Sequence, residues 1–175
     1  MSIADPAAAA TEPRSSLSLV LSDGLYAGLI GAVIVAGWFL VLDLLAGHPL
    51  RTPSMLGTWI IHGPDAVSDV AVDPAMVAAY TAVHFIAFVL VGSIASYLFA
   101  LCDRQPAAIV GLVFLFAFFE AGFFVFSAVM GGELIGRLGA WAVGVGNLLA
   151  ASGMAAYLWM RHPHLKENFE HIWDR

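Results

Sequence analysis

The sequence predicts an all-α integral membrane protein whose core is an antiparallel bundle of four transmembrane helices. Hydrophobic residues make up 61% of the 175 residues and charged residues only 11%, and the mean hydropathy is +0.87. Such values lie far outside the usual range of soluble domains. The apolar residues form four long runs that lack the two-residue alternation of transmembrane strands. These runs are 22–46, 74–102, 106–131 and 136–161.

The length of each run fits the thickness of a membrane. A helix rises about 1.5 Å per residue, so 20 or more apolar residues cross a hydrocarbon layer about 30 Å thick. The membrane domain is therefore predicted to cover 17–161. Residues 1–16 are rich in Ala and Pro and are predicted to form a flexible or partner-bound arm rather than a cleavable signal. Residues 162–175 are predicted to form an amphipathic cytoplasmic tail.

Two of the runs carry rows of small residues at every fourth position. Such rows allow helix backbones to approach each other closely, which is a main source of helix association in lipid. We expect them to be helix-packing faces. In the first run the row is Gly24, Gly28, Ala32 and Ala36. The last run has two such rows, one of Gly136, Ala140 and Gly144 and another of Ala142, Gly146 and Ala150.

The link 47–73 is the only connection between runs that is long enough to hold structure of its own. Thr52-Pro53 is typical of an N-cap followed by the first helical residue, and Gly63-Pro64 is typical of a helix end. The segment between them is too short to span a membrane. It is predicted to be a short helix that lies along the outer membrane face or docks on a partner.

The other links are short. Asp73-Pro74 repeats the capping pattern at the start of the second run. The 102–106 turn joins the second run to the third, and the 131–136 link joins the third to the fourth. Short links make consecutive helices antiparallel neighbours.

Three strongly polar residues lie near the middle of the last three runs: His84, Glu120 and Asn147. Each is about 15–17 Å below the outer end of its run at 1.5 Å per residue, so the three are predicted to form one layer. Ionisable groups at this depth are costly to bury and usually face a partner. The layer has three interpretations: a hydrogen-bonded clamp between helices, a ligand or metal site, and a proton path.

The sequence lacks the motifs that mark most classes of catalytic and metal-binding site. Two carboxylates and one histidine fall short of a di-iron bundle, and the sequence has no zinc-protease, nucleophile-elbow or phosphate-loop motif. No catalytic or metal site is predicted, and His84 alone is a candidate ligand for haem or a chlorophyll-type pigment. The single Cys102 excludes an internal disulfide. Seven scattered basic residues form no patch for nucleic acid.

The basic residues predict the orientation of the chain in a bacterial inner membrane. Five of them share one side with both termini, and two lie opposite, so both termini are predicted to be cytoplasmic. The five are Arg14, Arg104, Arg161, Lys166 and Arg175, and the two are Arg51 and Arg137.

Together these observations predict a non-catalytic accessory subunit of a larger bacterial inner-membrane complex, of a respiratory or photosynthetic energy-converting kind. Its expected partners are larger membrane subunits and lipid, and its contact residues are Trp59, Ile60, Phe169 and Trp173. Two alternatives stay open. One is a small oligomeric transporter or proton-handling protein that uses His84 and Glu120, and the other is a membrane enzyme or a haem or pigment carrier with its site at His84.

Overall fold

The computed structural model describes residues 16–67, 71–102, 109–129 and 139–162. Within these ranges the chain is helical and contains no strand, which confirms the all-α prediction for this part of the chain. A short 3-10 turn, Pro64–Val67, accompanies five α-helices. The helices are α1 (Ser16–Leu45), α2 (Arg51–His62), α3 (Pro74–Cys102), α4 (Ile109–Val129) and α5 (Ala140–Arg161).

Three of the described helices are long and apolar enough to cross a membrane, by length and composition. They are Leu17–Leu45, Pro74–Cys102 and Ala140–Arg161. α1, α3 and α5 are thus candidate membrane spans. The first of these helices begins at Ser16 rather than at 22, because the apolar residues of 17–21 continue its helix.

α1 and α3 run antiparallel and form the closest helix pair of the described chain. Near one end, the Ser96 hydroxyl donates a hydrogen bond to the Val20 carbonyl at 2.9 Å. Further along α1, the Ala32 carbonyl lies 3.1 Å from Nε2 of His84. Residue numbers therefore rise along α1 while they fall along α3.

Glycines bring α1 and α3 into backbone contact. A Cβ atom added at Gly24 would lie 2.5 Å from Cα of Ser93, and one added at Gly28 would lie 2.5 Å from the Phe88 carbonyl oxygen. From the other side, a Cβ at Gly92 would overlap the backbone of Gly24 and Gly28. No side chain fits between these backbones, so glycine is required at the contact.

α5 packs on another side of α1, also antiparallel to it. The Trp38 indole N–H donates to the Ala142 carbonyl at 2.8 Å near one end of the pair. Near the other end, Nε of Arg161 lies 2.9 Å from Oδ1 of Asp23. α3 and α5 therefore run parallel to each other.

Of the two packing rows predicted for α5, the structure buries the second. Gly139 has φ of 78°, so α5 begins at Ala140 and the predicted helix start at 136 is wrong. Gly136 lies outside the described residues. Gly144 has open space around it within 4 Å in the described structure, because the contacts to α1 turn a neighbouring row inward. That buried row is Ala142, Gly146 and Ala150.

α2 docks on α3 of its own chain. Met55 and Leu56 are buried and pack with Trp59 and with Tyr80 of α3. At Gly57 a Cβ atom would overlap the backbone carbonyl of Met76 in α3. The prediction of a helix that docks only on the outer membrane face or on a partner therefore needs correction, since its buried side belongs to the fold.

The predicted signals at the ends of these helices have mixed outcomes. Thr52 is not the N-cap of α2, because the helix begins at Arg51 after Leu50, whose φ is 64°. Gly63, with φ of 86°, ends the helix as predicted. Asp73 caps α3 as predicted, since its Oδ1 accepts the Ala75 N–H at 2.8 Å.

Candidate functional site

His84 is buried in α3 and uses both of its ring nitrogens. Nε2 lies 3.1 Å from the Ala32 carbonyl oxygen, and Nδ1 lies 3.4 Å from the Tyr80 hydroxyl. A carbonyl only accepts hydrogen bonds, so Nε2 carries the proton and Nδ1 accepts from Tyr80. The arrangement is that of a neutral imidazole that joins α3 to α1.

The surroundings of the imidazole are aromatic. Its ring centroid lies 5.4 Å from that of Tyr80, 5.8 Å from that of Phe85 and 4.7 Å from that of Phe88. A metal bound at Nε2 would replace the hydrogen bond to Ala32, and one bound at Nδ1 would displace Tyr80. Both ring nitrogens of His84 thus have hydrogen-bond partners within the protein.

The structure describes the side chain of only one of the other two residues of the predicted polar layer, Asn147. Glu120 lies on α4, and its side chain falls outside the described residues. Asn147 is half-buried on α5, and no hydrogen bond joins its side chain to another described residue. The hydrogen bonds of His84 go to Ala32 and Tyr80 rather than to Asn147. A layer that includes Glu120 stays a prediction.

Asn147 lines an apolar crevice of about 360 Å³ between α3, α4 and α5. Its amide is the only strongly polar group among the described lining side chains. On α3 the lining extends from Ala87 to Phe99, and on α5 it extends from Asn147 to Leu158. The described structure thus contains one elongated apolar space with a single amide at one end.

A second groove, of about 290 Å³, lies between α1 and α3 beside the start of α2. Thr52 lines it near α2, and Tyr80 and His84 line it deeper along α3. The hydroxyls of Thr52 and Tyr80 already donate to Asp43 and His84. The polar groups of this groove are therefore engaged within the fold.

Two polar contacts that the sequence did not predict hold the ends of α1. At one end, Asp43 is buried and both of its carboxylate oxygens accept hydrogen bonds from Thr52. Because Thr52-Pro53 matches the pattern of an ordinary helix cap, nothing in the sequence indicated this contact with Asp43.

At the other end, Asp23 is buried and binds two residues of α5. Arg161 Nε lies 2.9 Å and the Tyr157 hydroxyl 3.3 Å from its Oδ1. The sequence held a usable signal for this pair, since opposite charges stand at the ends of two apolar runs that are predicted to meet at the same membrane face. It is an ion pair between the first and last described helices.

No group of three or more His, Cys, Asp or Glu residues in the described ranges is arranged to hold a metal ion. Of the predicted partner contacts, Ile60 is exposed, and Trp59 is partly buried against Met55 and Leu56 of its own helix. Phe169 and Trp173 lie outside the described residues.

Comparison of the chain with protein-family models, with curated proteins and with solved structures finds no match.

Proposed function

We propose that the chain crosses the membrane four times, with α4 as the fourth span in an antiparallel bundle. α3 and α5 both run antiparallel to α1, so the end of α3 at Cys102 and the start of α5 at Ala140 belong to opposite membrane faces. The chain between them must return across the membrane. α4 has 21 residues, about 30 Å of helix, which matches the hydrocarbon thickness.

In this arrangement the N-terminus, the link after α3 and the C-terminus share one face. Five of the seven basic residues are on that side, which supports a cytoplasmic location for both termini in a bacterial inner membrane. The test is cysteine labelling with an impermeant maleimide in a Cys102→Ser background. A cysteine at position 65 should react in intact cells, and one at position 168 only after lysis. Reaction of both from outside would refute the topology.

On this topology we propose a non-catalytic accessory subunit of a larger inner-membrane complex of an energy-converting kind. The observation that carries the proposal is the use of buried polar groups in the described helices. His84, Asp43 and Asp23 each bind a residue of another helix. Polar contacts of this kind join helices in lipid and build a scaffold.

The surface of α4 supports a partner. This helix contacts α3 and α5 far less than α1 does. Phe114 is 70% exposed and Phe118 is 72% exposed, so α4 presents large aromatic groups away from the described bundle. We propose that this face contacts lipid and a helix of a larger subunit. Ile60 at the outer side and Phe169 and Trp173 at the cytoplasmic side would extend the contact.

Purification from native membranes in mild detergent, followed by mass spectrometry, tests the subunit proposal. The full chain should co-purify with larger membrane proteins, and deletion of 1–16 or of 165–175 should release them while the helical content is kept. Asp65→Ala, a change at an exposed residue of the outer link, is the control. A monodisperse particle of this chain alone that is active in transport or chemistry would contradict the proposal.

Each of the two alternative functions has its own test. A haem or pigment carrier at His84 has less support, because both ring nitrogens are engaged, and a visible absorption spectrum of the purified chain tests it. A small oligomeric transporter or proton-handling protein that uses His84 and Glu120 would move ions in reconstituted vesicles. That movement would be lost in Glu120→Gln.

A further inference from the structure

The crevice between α3, α4 and α5 has the dimensions of a single hydrocarbon chain. Its lining extends over residues 87–99 of α3 and 147–158 of α5, which is about 16–18 Å at 1.5 Å per residue. A volume of about 360 Å³ over this length makes the crevice long and narrow. The volume also lies within the usual range of small-molecule sites.

The lining restricts the chemistry of the occupant. Ala95, Met154 and Leu158 are typical of the side chains along the crevice, and none of the described lining residues carries a formal charge. Protein interiors are close-packed, and an empty apolar space leaves its walls without contacts. Water is disfavoured there, because it needs two or more polar partners. The occupant is therefore an uncharged, mainly hydrocarbon molecule.

One end of the crevice adds a requirement for a polar group. The Asn147 amide has no hydrogen bond to another described side chain, and its NH2 can donate to a carbonyl. Phe88 lines the crevice next to Ala87, at the same end of the α3 lining, and Phe116 lines it from α4. Aromatic rings of this kind pack well against a planar ring. A plain acyl chain would offer the amide no acceptor, and no described side chain offers one either, which is unfavourable in hydrocarbon.

We propose that this crevice binds an isoprenoid quinone. A ring carbonyl accepts a hydrogen bond from Asn147, the ring packs beside Phe88, and the chain lies along α3 and α5. The proposal concerns binding and includes no redox step. It requires no partner subunit, so its outcome is independent of the subunit proposal.

The first test measures the quinone that is retained on the purified full-length chain. Solvent extraction and mass spectrometry should find close to one quinone per chain. Ala155→Phe, which fills the crevice, should lower that amount at least tenfold. Ala156→Phe, on the adjacent exposed residue outside the lining, should not. Equal quinone in both variants, or retention of phospholipid alone by the parent chain, would overturn the proposal.

The second test removes the amide and keeps the shape of the site. Binding of a short-chain benzoquinone is measured by equilibrium dialysis. Asn147→Leu should weaken it about tenfold, the expected loss for one hydrogen bond in an apolar site. Ser152→Ala is the control, because that hydroxyl donates only to the Leu148 carbonyl of its own helix. Equal affinity of Asn147→Leu and the parent would refute the role of the amide, even if Ala155→Phe fails to fold.

Discussion

Asp43 accepts both hydrogen bonds that Thr52 can donate. The Thr52 backbone N–H lies 2.8 Å from Oδ2, and its hydroxyl lies 2.7 Å from Oδ1. Asp43 belongs to the last turn of α1, whereas Thr52 is in the first turn of α2. A carboxylate of one helix thus satisfies an N-terminal amide of the next, where the helix dipole also favours negative charge.

Asp43→Ala should destabilise the protein by about 1–3 kcal/mol, because it leaves a buried amide and hydroxyl without their acceptor. The loss should be concentrated in α2, whose amides should exchange with deuterium faster than those of α1. Thermal unfolding and hydrogen exchange in detergent measure the two effects. Asp65→Ala, at an exposed residue, is the control. Unchanged exchange in α2 would show that the helix is held by its contacts with α3 alone.

Gly28→Leu and Gly144→Leu should differ sharply. At Gly28 a side chain would collide with the backbone of α3, whereas Gly144 has open space within 4 Å in the described structure. Overpacking of a close helix contact typically costs about 1–3 kcal/mol or more. The melting temperature should fall strongly in the first variant and little in the second. The opposite order would place the Gly144 face against a helix or partner.

His84→Leu should fold and should cost about 1 kcal/mol, the usual contribution of a buried hydrogen bond between membrane helices. Tyr80→Phe should cost less, because the contact at 3.4 Å is long and the bond of His84 to Ala32 is kept. Chemical unfolding in mixed micelles compares the two variants. A complete loss of folding in His84→Leu, together with loss of visible absorbance, would instead indicate a cofactor ligand.

The two partners of the Asp23–Arg161 pair should respond unequally to substitution. Asp23 is buried and Arg161 is half exposed. Arg161→Met leaves a buried carboxylate without a counter-charge, whereas Asp23→Asn leaves an arginine that can reach water. The melting temperature should therefore fall further in Arg161→Met. An equal fall in both variants would show that the carboxylate is solvated in some other way.

The spans and the small-residue face of α1 could be predicted from the sequence, whereas the inward row of α5 could not be chosen between two candidates. Long apolar runs are required by the bilayer itself, so they appear in composition alone. α5 carries two rows of small residues, one with Gly144 and one with Gly146. The choice between them depends on the hydrogen bond from Trp38 to Ala142 and on the ion pair of Asp23. Both contacts join residues more than 100 positions apart.

The candidate site, too, could be predicted from the sequence only in part. The burial and depth of His84 followed from its position in an apolar run. Its partner on α1 is the Ala32 carbonyl, and no side-chain pattern marks a backbone oxygen as an acceptor. Asp43 was missed for a related reason, since Thr52-Pro53 satisfies a local capping rule that the tertiary contact overrides.

The pair formed by Asp23 and Arg161 also has a consequence for biogenesis. Asp23 enters the bilayer with the first helix, and its counter-charge lies 138 residues later in the chain. At about 5–20 residues per second, the ribosome needs roughly 7–28 seconds to supply it. During that interval the nascent first helix holds an unpaired carboxylate close to the membrane surface. Insertion of α5 neutralises this charge, so closure of the helix bundle must wait until that helix has been synthesised.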